Sequence, residues 1–470
     1  MSEFLNNRKF CGNVIVRIFY YLLIFPNKTE VMTKKSSYDI GIIGVGYVGL
    51  VTAACFAQMG NKVRCYDVNS KRINNLQKGG VLPFYEPGLD TLVKKNLKSG
   101  RLGFYINLKH VVDNSQIIFF CVGTPSRKTG SVDLRYLQEA IQSVAKLSDE
   151  HKIFVVKSTV PAGTSELVRK IIRRYYKGRV DVVSNPEFLQ EANAINSFLK
   201  ADRVVLGYAD DCRSEIKKIM REIYKPVKAP VFETNNRTAE LSKYASNVFL
   251  ATEISFINNI ANLCDAIGAD VKVISEIMKS DPRIGKKAFL NAGIGYGGLC
   301  FPKDMKGFIR IIERNGYDPT FLKMVEKINM GQRKEVIKKL RQMIRRIKGA
   351  VVVILGTSFK PNTDDIRDAP AITIIEKLLA LGAKVRVCDP VSLANIKNIF
   401  GDKISYHFQT YEALKDADAL VLVTEWDRYK QLDFKKVKRL MKKPIIVDGR
   451  NIYDDKLLKK LGFQYRGIGR

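Results

Sequence analysis

The chain has 470 residues, of which 46% are hydrophobic and 27% are charged. This length is too great for one ordinary core, and it predicts a globular protein of two or three domains. Lys and Arg number 79 against 47 Asp and Glu, which gives a formal charge of +32. Because the excess is spread along the chain, we interpret it as a solvated basic surface and expect no specific nucleic-acid partner.

The cysteines and histidines limit which disulfides, metal sites and catalytic bases the chain could form. Eight cysteines are scattered without a CxxC pair, and several lie in apolar runs. This usage predicts reduced, buried thiols, a cytoplasmic protein and no metal site. The three histidines, His110, His151 and His407, stand in no catalytic context. A dehydrogenase with a histidine base is therefore disfavoured.

Residues 1–37 are predicted to be an N-terminal extension. Their apolar run, Val14–Phe25, contains Arg17 and stops at Pro26. Such a run is too short to cross a bilayer, which takes about 20 residues. We expect no membrane span, and either a dispensable extension or a true start at Met32.

Residues 38–230 alternate strands with helices. The pattern predicts a parallel sheet covered by helices on both faces, as in a Rossmann-like, doubly wound α/β domain. Asp39–Leu50 is predicted to be a buried strand that runs into a glycine turn and then a helix, and further β-type runs are Lys62–Tyr66, Ile117–Val122, Ile153–Val156 and Val180–Val183.

Two further regions follow. Residues 231–345 carry a long helical pattern that is interrupted by a glycine-rich stretch, Pro282–Asp304. In residues 346–470 the alternation of strands and helices restarts, with β-type runs such as Val351–Leu355 and Lys384–Cys388. The sequence thus predicts two α/β domains joined by a central helical region.

A glycine fingerprint lies at the start of the first α/β domain. Gly44-Val45-Gly46-Tyr47-Val48-Gly49 follows a strand and opens a helix, and Asp67 ends the next strand. Such glycines let the backbone approach a pyrophosphate at the positive end of a helix, and the acid accepts hydrogen bonds from the ribose hydroxyls. A carboxylate there repels a 2′-phosphate, so the motif predicts NAD rather than NADP.

A second group of chemically capable residues lies in the central region. The run Gly295-Tyr296-Gly297-Gly298-Leu299-Cys300-Phe301-Pro302-Lys303-Asp304 joins flexible glycines to a cysteine, a lysine and an aspartate. Cations beside a cysteine favour its thiolate, which adds readily to aldehydes. Lys243 and Asn247 are four residues apart in a predicted helix and therefore share a face.

Together these segments resemble the UDP-glucose/GDP-mannose dehydrogenase family. The resemblance covers about residues 38–453 and depends on several motifs in the same order. They are Gly44–Leu50, Gly123-Thr124-Pro125, Lys157–Pro161, Asn185–Glu191, Ala239–Asn247, the segment around Cys300, and Phe359–Arg367.

The resemblance implies two successive NAD-linked oxidations at one site, from alcohol to aldehyde to acid. UDP-glucose is the implied substrate, oxidised at C6 to UDP-glucuronate. Cys300 would capture the aldehyde as a thiohemiacetal, which is then oxidised to a thioester and hydrolysed. The other catalytic residues implied by the resemblance are Lys243, Asp304, Asn247, Glu187 and Thr159.

The resemblance also implies the binding residues. Those for NAD are Gly44, Gly46, Tyr47, Val48, Gly49, Asp67, Arg72, Thr124, Pro125, Ser158, Thr159, Glu191, Lys303 and Arg367. Those for the sugar nucleotide are Glu187, Phe188, Leu189, Lys243, Asn247, Arg283, Tyr296, Gly297, Phe359, Lys360 and Arg450. A homodimer or higher homo-oligomer is implied as well, with Arg283 donated across its interface.

Four alternatives remain open at this point. The same chemistry could act on GDP-mannose or another nucleotide hexose, although Phe301–Asp304 resembles the UDP-glucose group more closely. A β-hydroxyacid dehydrogenase shares the glycine turn but needs neither Cys300 nor a second α/β domain. A basic polyanion-binding protein would explain only the charge. A non-catalytic scaffold is opposed by the presence of every catalytic residue type named above.

Overall fold

The computed structural model describes residues 37–470. The predicted extension, up to residue 36, lies outside this range. Strands are β1 Asp39–Ile43, β2 Lys62–Tyr66, β3 Leu102–Tyr105, β4 Ile117–Phe120, β5 Ile153–Val156, β6 Asp181–Ser184, β7 Val204–Tyr208, β8 Val231–Asn235, β9 Val351–Leu355, β10 Lys384–Cys388, β11 Ser405–His407, β12 Ala419–Leu422, β13 Ile445–Asp448 and β14 Gln464–Arg466.

Helices alternate with these strands. They are α1 Tyr47–Gln58, α2 Ser70–Gln77, α3 Leu89–Lys98, α4 Leu108–Asp113, α5 Arg135–Leu147, α6 Thr164–Tyr175, α7 Ala194–Leu199, α8 Ser214–Tyr224, α9 Asn236–Ile267, α10 Val271–Ser280, α11 Cys300–Arg314, α12 Thr320–Met343, α13 Pro370–Ala380, α14 Leu393–Phe400, α15 Thr410–Leu414, α16 Asp427–Lys430, α17 Phe434–Leu440 and α18 Asp455–Lys460. Short 3₁₀ helices occupy Lys225–Val227 and Gly401–Lys403.

The first sheet has the strand order β3-β2-β1-β4-β5-β6-β7-β8. Its central strands are buried on both faces, which is why they read as continuous apolar runs. Ile43 pairs with both Tyr66 and Phe120, and Phe120 pairs with Val156. The carboxyl ends of β1, β2, β4 and β5 therefore share one edge. The strand order reverses between β1 and β4, the position at which doubly wound sheets bind ligands.

The last two strands of this sheet depart from the parallel arrangement. β7 pairs antiparallel with β6, and β8 then runs parallel to β7. Neither strand is among the predicted β-type runs, and in β8 exposed residues break the apolar pattern. β8 ends five residues beyond the predicted end of the first domain at residue 230.

The central region consists of α9 to α12. α9 is 32 residues long; the Asn235 side chain caps its start by accepting from the Thr238 N–H, and Gly268 with φ +78° ends it. α9 packs against both α11 and α12. Buried Val248, Met305 and Val325 contribute to the apolar cluster between these three helices.

The second sheet has the order β11-β10-β9-β12-β13-β14 and is parallel throughout. Leu355 at the end of β9 pairs with Cys388 and Leu422, so the loops after β9, β10 and β12 meet at one edge. The predicted fold class, two doubly wound α/β domains joined by helices, is confirmed. Among residues 37–470, no helix combines the length and apolarity that a membrane crossing requires.

Candidate active site

The glycine fingerprint forms a tight turn between β1 and α1. Gly44 has φ +94°, and a Cβ on it would lie 3.0 Å from the backbone of Cys121 and Val122. A Cβ on Gly49 would lie 1.9 Å from the Gly44 carbonyl oxygen. No side chain caps the start of α1, so the N–H groups of its first turn, including those of Tyr47 and Val48, are available to an anion. The residues present fit the pyrophosphate of a dinucleotide.

Asp67 follows β2 and contacts this turn directly. Its Oδ2 accepts a 2.7 Å hydrogen bond from the Val45 N–H, and its Oδ1 accepts one of 2.9 Å from the Asn69 N–H. Arg72 NH1 lies 3.1 Å from Asp67 Oδ2. The carboxylate is thereby fixed beside the glycine turn, where it can accept from ribose hydroxyls.

The predicted cofactor residues of the next two loops also lie together. The Thr124 hydroxyl donates to the Thr159 carbonyl at 2.9 Å, and the Ser158 hydroxyl donates to the Val122 carbonyl at 2.6 Å. Both loops follow strands of the same edge, β4 and β5. Thr124, Pro125, Ser158 and Thr159 thus continue the edge that begins at the glycine turn.

A cavity of about 450 Å³ opens beside this edge, between the first domain and the segment 363–367 of the last domain. Its lining includes Gly46, Tyr47, Arg72, Glu191 and Arg367. Burial and, secondly, Asp365 raise the pKa of Glu191 to about 7, although Arg367 and Lys360 oppose the shift. A carboxyl group that changes charge near neutrality is therefore part of the wall of the cavity.

Cys300 is the first residue of α11 and follows the glycine-rich loop. Burial raises the pKa of its thiol to about 12, and Glu187, Glu191 and Asp304 add to the shift, whereas Lys243 opposes it. A neighbouring cation is therefore not enough to hold Cys300 as the thiolate in this structure. Lys243 does favour it, but burial and three carboxylates outweigh one ammonium.

Lys243 and Glu187 form a buried ion pair beside the thiol. Lys243 Nζ lies 3.3 Å from Glu187 Oε1, and each side chain is less than a tenth exposed. Glu187 Oε2 also accepts from the Leu189 N–H at 2.6 Å, and the Phe188 ring centroid is 5.3 Å from Lys243 Nζ. Burial opposes the charge on Lys243, but Glu187, Cys300 and Asp304 overcome it, so the pKa of the lysine is raised.

Asp304 connects α11 to α9. Its Oδ2 accepts from Asn247 Nδ2 at 2.6 Å, and its Oδ1 accepts from Lys303 Nζ at 2.6 Å. The carboxylate side chain is only 2% exposed. Lys303, predicted to contact the cofactor, is thus hydrogen-bonded to this carboxylate.

The predicted sugar-nucleotide residues line the edge of the second sheet. Arg450 donates to the carbonyls of Val423 and Phe359, at 2.7 and 3.2 Å. The Phe359 ring packs on Gly298, where a Cβ would lie 2.9 Å from it. Burial lowers the pKa of Lys360, which follows Phe359. Tyr296 and Gly297 belong to the same glycine loop.

Arg283 is not brought into this cluster. It lies in the loop after α10, its side chain is 87% exposed, and its guanidinium forms a bidentate pair with Asp281. Within residues 37–470, no group of three or more His, Cys, Asp or Glu could hold a metal ion.

Comparison with known proteins connects this geometry to a family. Three sequence profiles of the UDP-glucose/GDP-mannose dehydrogenase family match the chain: the NAD binding domain over residues 38–228, the central domain over 237–331 and the UDP binding domain over 353–455. UDP-glucose 6-dehydrogenase TuaD of Bacillus subtilis is 43% identical over 92% of this chain and 93% of its own.

The chain belongs to the UDP-glucose/GDP-mannose dehydrogenase family.

Two more relatives agree with this membership. UDP-glucose 6-dehydrogenase of Pseudomonas aeruginosa is 42% identical over 91% of this chain and 97% of its own. The solved UDP-glucose dehydrogenase of Pyrobaculum islandicum superposes with a TM-score of 0.86 at 35% identity, and it covers 93% of this chain and 99% of that one. As in other members of the family, the first domain here binds NAD, and the second is the UDP binding domain.

Sequence reasoning overlooked Glu86 in this family member. Its buried carboxylate accepts from the Tyr47 hydroxyl at 2.6 Å and from the N–H groups of Ala192 and Ala194 at 2.7 Å. These hydrogen bonds connect the glycine turn to the segment that carries Glu187 and Glu191. Ala192 has φ +66°, an unusual conformation for a residue with a side chain. The only signal in the sequence was an acid that follows Phe84 and Tyr85 and precedes Pro87.

Glu240 on α9 is a second buried acid that is absent from the predicted site residues. It is buried, and it accepts from the Gly163 and Ser165 N–H groups at 2.7 and 2.8 Å. The bonds cap the start of α6 and fix the part of α9 that carries Lys243, one turn further along.

Proposed function

We propose that this chain oxidises C6 of UDP-glucose in two NAD-dependent steps and releases UDP-glucuronate. The observation that carries the proposal is the convergence of Lys243, Glu187, Asn247 and Asp304 at the start of α11, where Cys300 lies. Relatives that are 42–43% identical over nearly the whole chain are named UDP-glucose 6-dehydrogenases, which supports this substrate over other nucleotide hexoses.

In the first oxidation the substrate C6 hydroxyl would lose a proton, and NAD held at the glycine turn and Asp67 would supply the hydride acceptor for C6. We assign the positioning of that hydroxyl to Asn247 and Asp304, which are already joined by a 2.6 Å hydrogen bond. The Lys243 ammonium would stabilise negative charge on the C6 oxygen. Because Lys243 is 3% exposed, its charge acts there with little screening by water.

In the second oxidation the Cys300 sulfur adds to the aldehyde carbon and forms a thiohemiacetal. With a second NAD as the hydride acceptor, that carbon would lose hydride and its hydroxyl would lose a proton to give a thioester; water would then cleave the carbon–sulfur bond and release the carboxylate and the thiol. Glu187 is suited to activating this water, since its Oε1 faces Lys243 and its Oε2 is held by the Leu189 N–H. Thr159 and Glu191 would act near the same water.

The remaining site assignments follow the two sheet edges. We assign the cofactor to the glycine turn, Asp67, Arg72, Thr124, Pro125, Ser158, Thr159, Glu191, Lys303 and Arg367. We assign the sugar nucleotide to Glu187, Phe188, Leu189, Lys243, Asn247, Tyr296, Gly297, Phe359, Lys360 and Arg450, with Arg283 supplied by another subunit.

A homodimer or higher homo-oligomer is part of this proposal. Phe249, Phe256 and Leu263 follow one another at intervals of seven along α9, and their side chains are 63%, 47% and 54% exposed. A stripe of this spacing on one helix face is suited to packing against a second copy. Phe256→Glu should lower the molar mass measured by light scattering to that of one chain. An unchanged mass would contradict the proposed interface.

The domain limits and the cellular location also stay proposals. We propose the limits 38–235, 236–345 and 346–470, since β8, which ends at Asn235, is a strand of the first sheet. A cytoplasmic location is consistent with the seven cysteines of the described chain, which are all unpaired.

The proposed substrate is tested with a panel of nucleotide sugars. Purified protein and NAD are incubated with UDP-glucose, UDP-N-acetylhexosamines or GDP-mannose, and NADH is followed by absorbance. We expect the highest kcat/KM with UDP-glucose. Turnover with GDP-mannose alone would keep the chemistry and overturn the substrate. NAD binding without turnover of any sugar nucleotide would contradict the enzyme assignment.

A further inference from the structure

Arg333 lies in the middle of α12 and is the bulkiest of the fully buried side chains in the described chain. Its side chain is 2% exposed. Burying a guanidinium is costly unless it has hydrogen-bond acceptors, so a buried arginine indicates a structured set of partners. The site assignments above give it no role.

The partners of Arg333 come from two different segments. One is the glycine loop before Cys300: Arg333 NH2 donates to the Tyr296 carbonyl at 3.1 Å. The other is the loop after Arg367: NH2 donates to the Asp368 carbonyl at 3.0 Å, and NH1 donates to the Asp368 carboxylate at 2.9 Å. One planar fork thus connects the central region to the last domain.

The two segments meet closely where Arg333 joins them. Gly298 N–H donates to the Arg367 carbonyl at 2.8 Å. A Cβ on Gly297 would lie 2.4 Å from the Asp368 carbonyl oxygen. Asp368 itself has φ +50°, a conformation that the surrounding contacts must hold in place. Any shift of either segment would therefore disturb both.

One turn earlier on α12, Asn329 contacts the same loop. Its Oδ1 accepts from the Tyr296 N–H at 2.7 Å, and its Nδ2 donates to the Tyr296 carbonyl at 3.2 Å. Tyr296 is therefore held on its backbone N–H and C=O by α12. Asn329 reaches only this loop, whereas Arg333 reaches the segment 359–368 as well.

We propose that Arg333 is a positioning residue, which sets the distance between the loop that presents Cys300 and the segment that carries Lys360 and Arg367. This inference rests on the proposed function, since the two segments hold the thiol and the groups assigned to substrate and cofactor. A lysine cannot replace Arg333, because a single ammonium lacks the fork that reaches both segments at fixed geometry.

The test compares Arg333→Ala and Arg333→Lys with the matched control Lys339→Ala. Lys339 is also a buried cation on α12, 6% exposed, and it pairs with Asp265 at 2.6 Å, away from the site. Loss of either cation should lower thermal stability, so a stability measurement alone does not distinguish the role of Arg333 from that of Lys339. The activity readouts are kcat and KM for UDP-glucose and NAD, with and without millimolar guanidinium. The rate of Cys300 alkylation by iodoacetamide is measured as well, and it requires no turnover.

We expect Arg333→Ala to lose about 100-fold in kcat/KM, the cost of a misplacement of roughly 1 Å at a catalytic site. Guanidinium should recover at least about a tenth of the wild-type value, since it restores the planar donor that Arg→Ala removes. Arg333→Lys should also be impaired but not rescued. The alkylation rate of Cys300 should change in both Arg333 variants and stay at the wild-type value in Lys339→Ala.

Two results would overturn the inference. One is a folded Arg333→Lys enzyme with wild-type kinetics and alkylation rate; this variant also decides the matter if Arg333→Ala fails to fold. The other is an equal loss in Arg333→Ala and Lys339→Ala without rescue by guanidinium. An inactive wild-type protein would contradict the proposed function instead, and the alkylation rates would still test Arg333.

Discussion

The two α/β domains begin with the same turn and use it differently. Gly44 with φ +94° and Gly356 with φ +87° each follow the first strand of their sheet, and each donates its N–H at 2.8 Å to the last carbonyl of the neighbouring strand. Asp67 and Asp389 then accept from the N–H after the glycine, at 2.7 and 2.8 Å. The second oxygen of each carboxylate also accepts from the N–H two residues further along, that of Asn69 or that of Val391.

After Gly44 the helix α1 begins within three residues, whereas α13 begins only at Pro370. The intervening segment carries Lys360 and Arg367. Asp389 is fully buried, and its second oxygen accepts from the N–H groups of Val391 and Ser392. A glycine turn with an acid on the next strand is therefore insufficient for dinucleotide binding. An adjacent helix start and an accessible carboxylate are also needed.

The largest expected effect lies outside both turns, at the thiol between them. Cys300→Ala should abolish formation of UDP-glucuronate, because no other group can hold the aldehyde for the second oxidation. Acid is measured by chromatography after extended incubation with NAD. Cys300→Ser should instead accumulate a covalent adduct, visible by mass spectrometry. Wild-type acid formation by the alanine variant would contradict the role of the thiol.

The next effect tests the difference between the turns directly. Asp67→Ala should weaken NAD binding by about 10- to 100-fold, the value of one or two hydrogen bonds to a carboxylate, and leave UDP-glucose binding unchanged. Asp389→Ala is the matched control. It leaves buried N–H groups without an acceptor and should cost about 3 kcal/mol of stability. Calorimetric titration measures both affinities.

A selective loss of NAD affinity in Asp389→Ala, or an equal loss of both ligands in Asp67→Ala, would remove the distinction between the two turns.

The glycine turns also show which features of the structure the sequence could predict. The fingerprint predicted the cofactor domain because its glycines, helix and acid are local, and the spacing of Lys243 and Asn247 predicted one shared face. Both the fold class and NAD as cofactor are confirmed. The partners of Glu86 lie 39, 106 and 108 residues away, and those of Arg333 lie on two distant loops. No local pattern encodes such contacts, and the individual site assignments remain predictions.

A smaller effect concerns Glu191, the buried acid of the cleft. Its pKa of about 7 in the folded protein exceeds the ordinary value of 4.5, so the folded chain retains a proton that the unfolded chain has released. The stability present below pH 4.5 is therefore lost as the pH rises through 7. Glu191→Gln cannot ionise and should be more stable than wild type by on the order of 3 kcal/mol above about pH 8.

Urea denaturation over a pH series measures this difference, which should shrink towards zero near about pH 4. A difference that does not vary with pH would show that Glu191 titrates normally.

The smallest effect is expected at Leu299, the residue before the thiol. Its side chain is 38% exposed and is not among the residues assigned to catalysis or binding. Leu299→Ser should change kcat/KM by less than about two-fold and stability by about 0.5 kcal/mol or less. A ten-fold change would place Leu299 in the mechanism.

The central claim is that one site performs both oxidations through Cys300. The most direct measurement is the amount of NADH formed per UDP-glucuronate released, with absorbance for NADH and chromatography for the acid. The account predicts about two NADH per acid and no free aldehyde, because the thiol retains the intermediate between the steps. About one NADH per oxidised sugar, with the aldehyde released into solution, would contradict it.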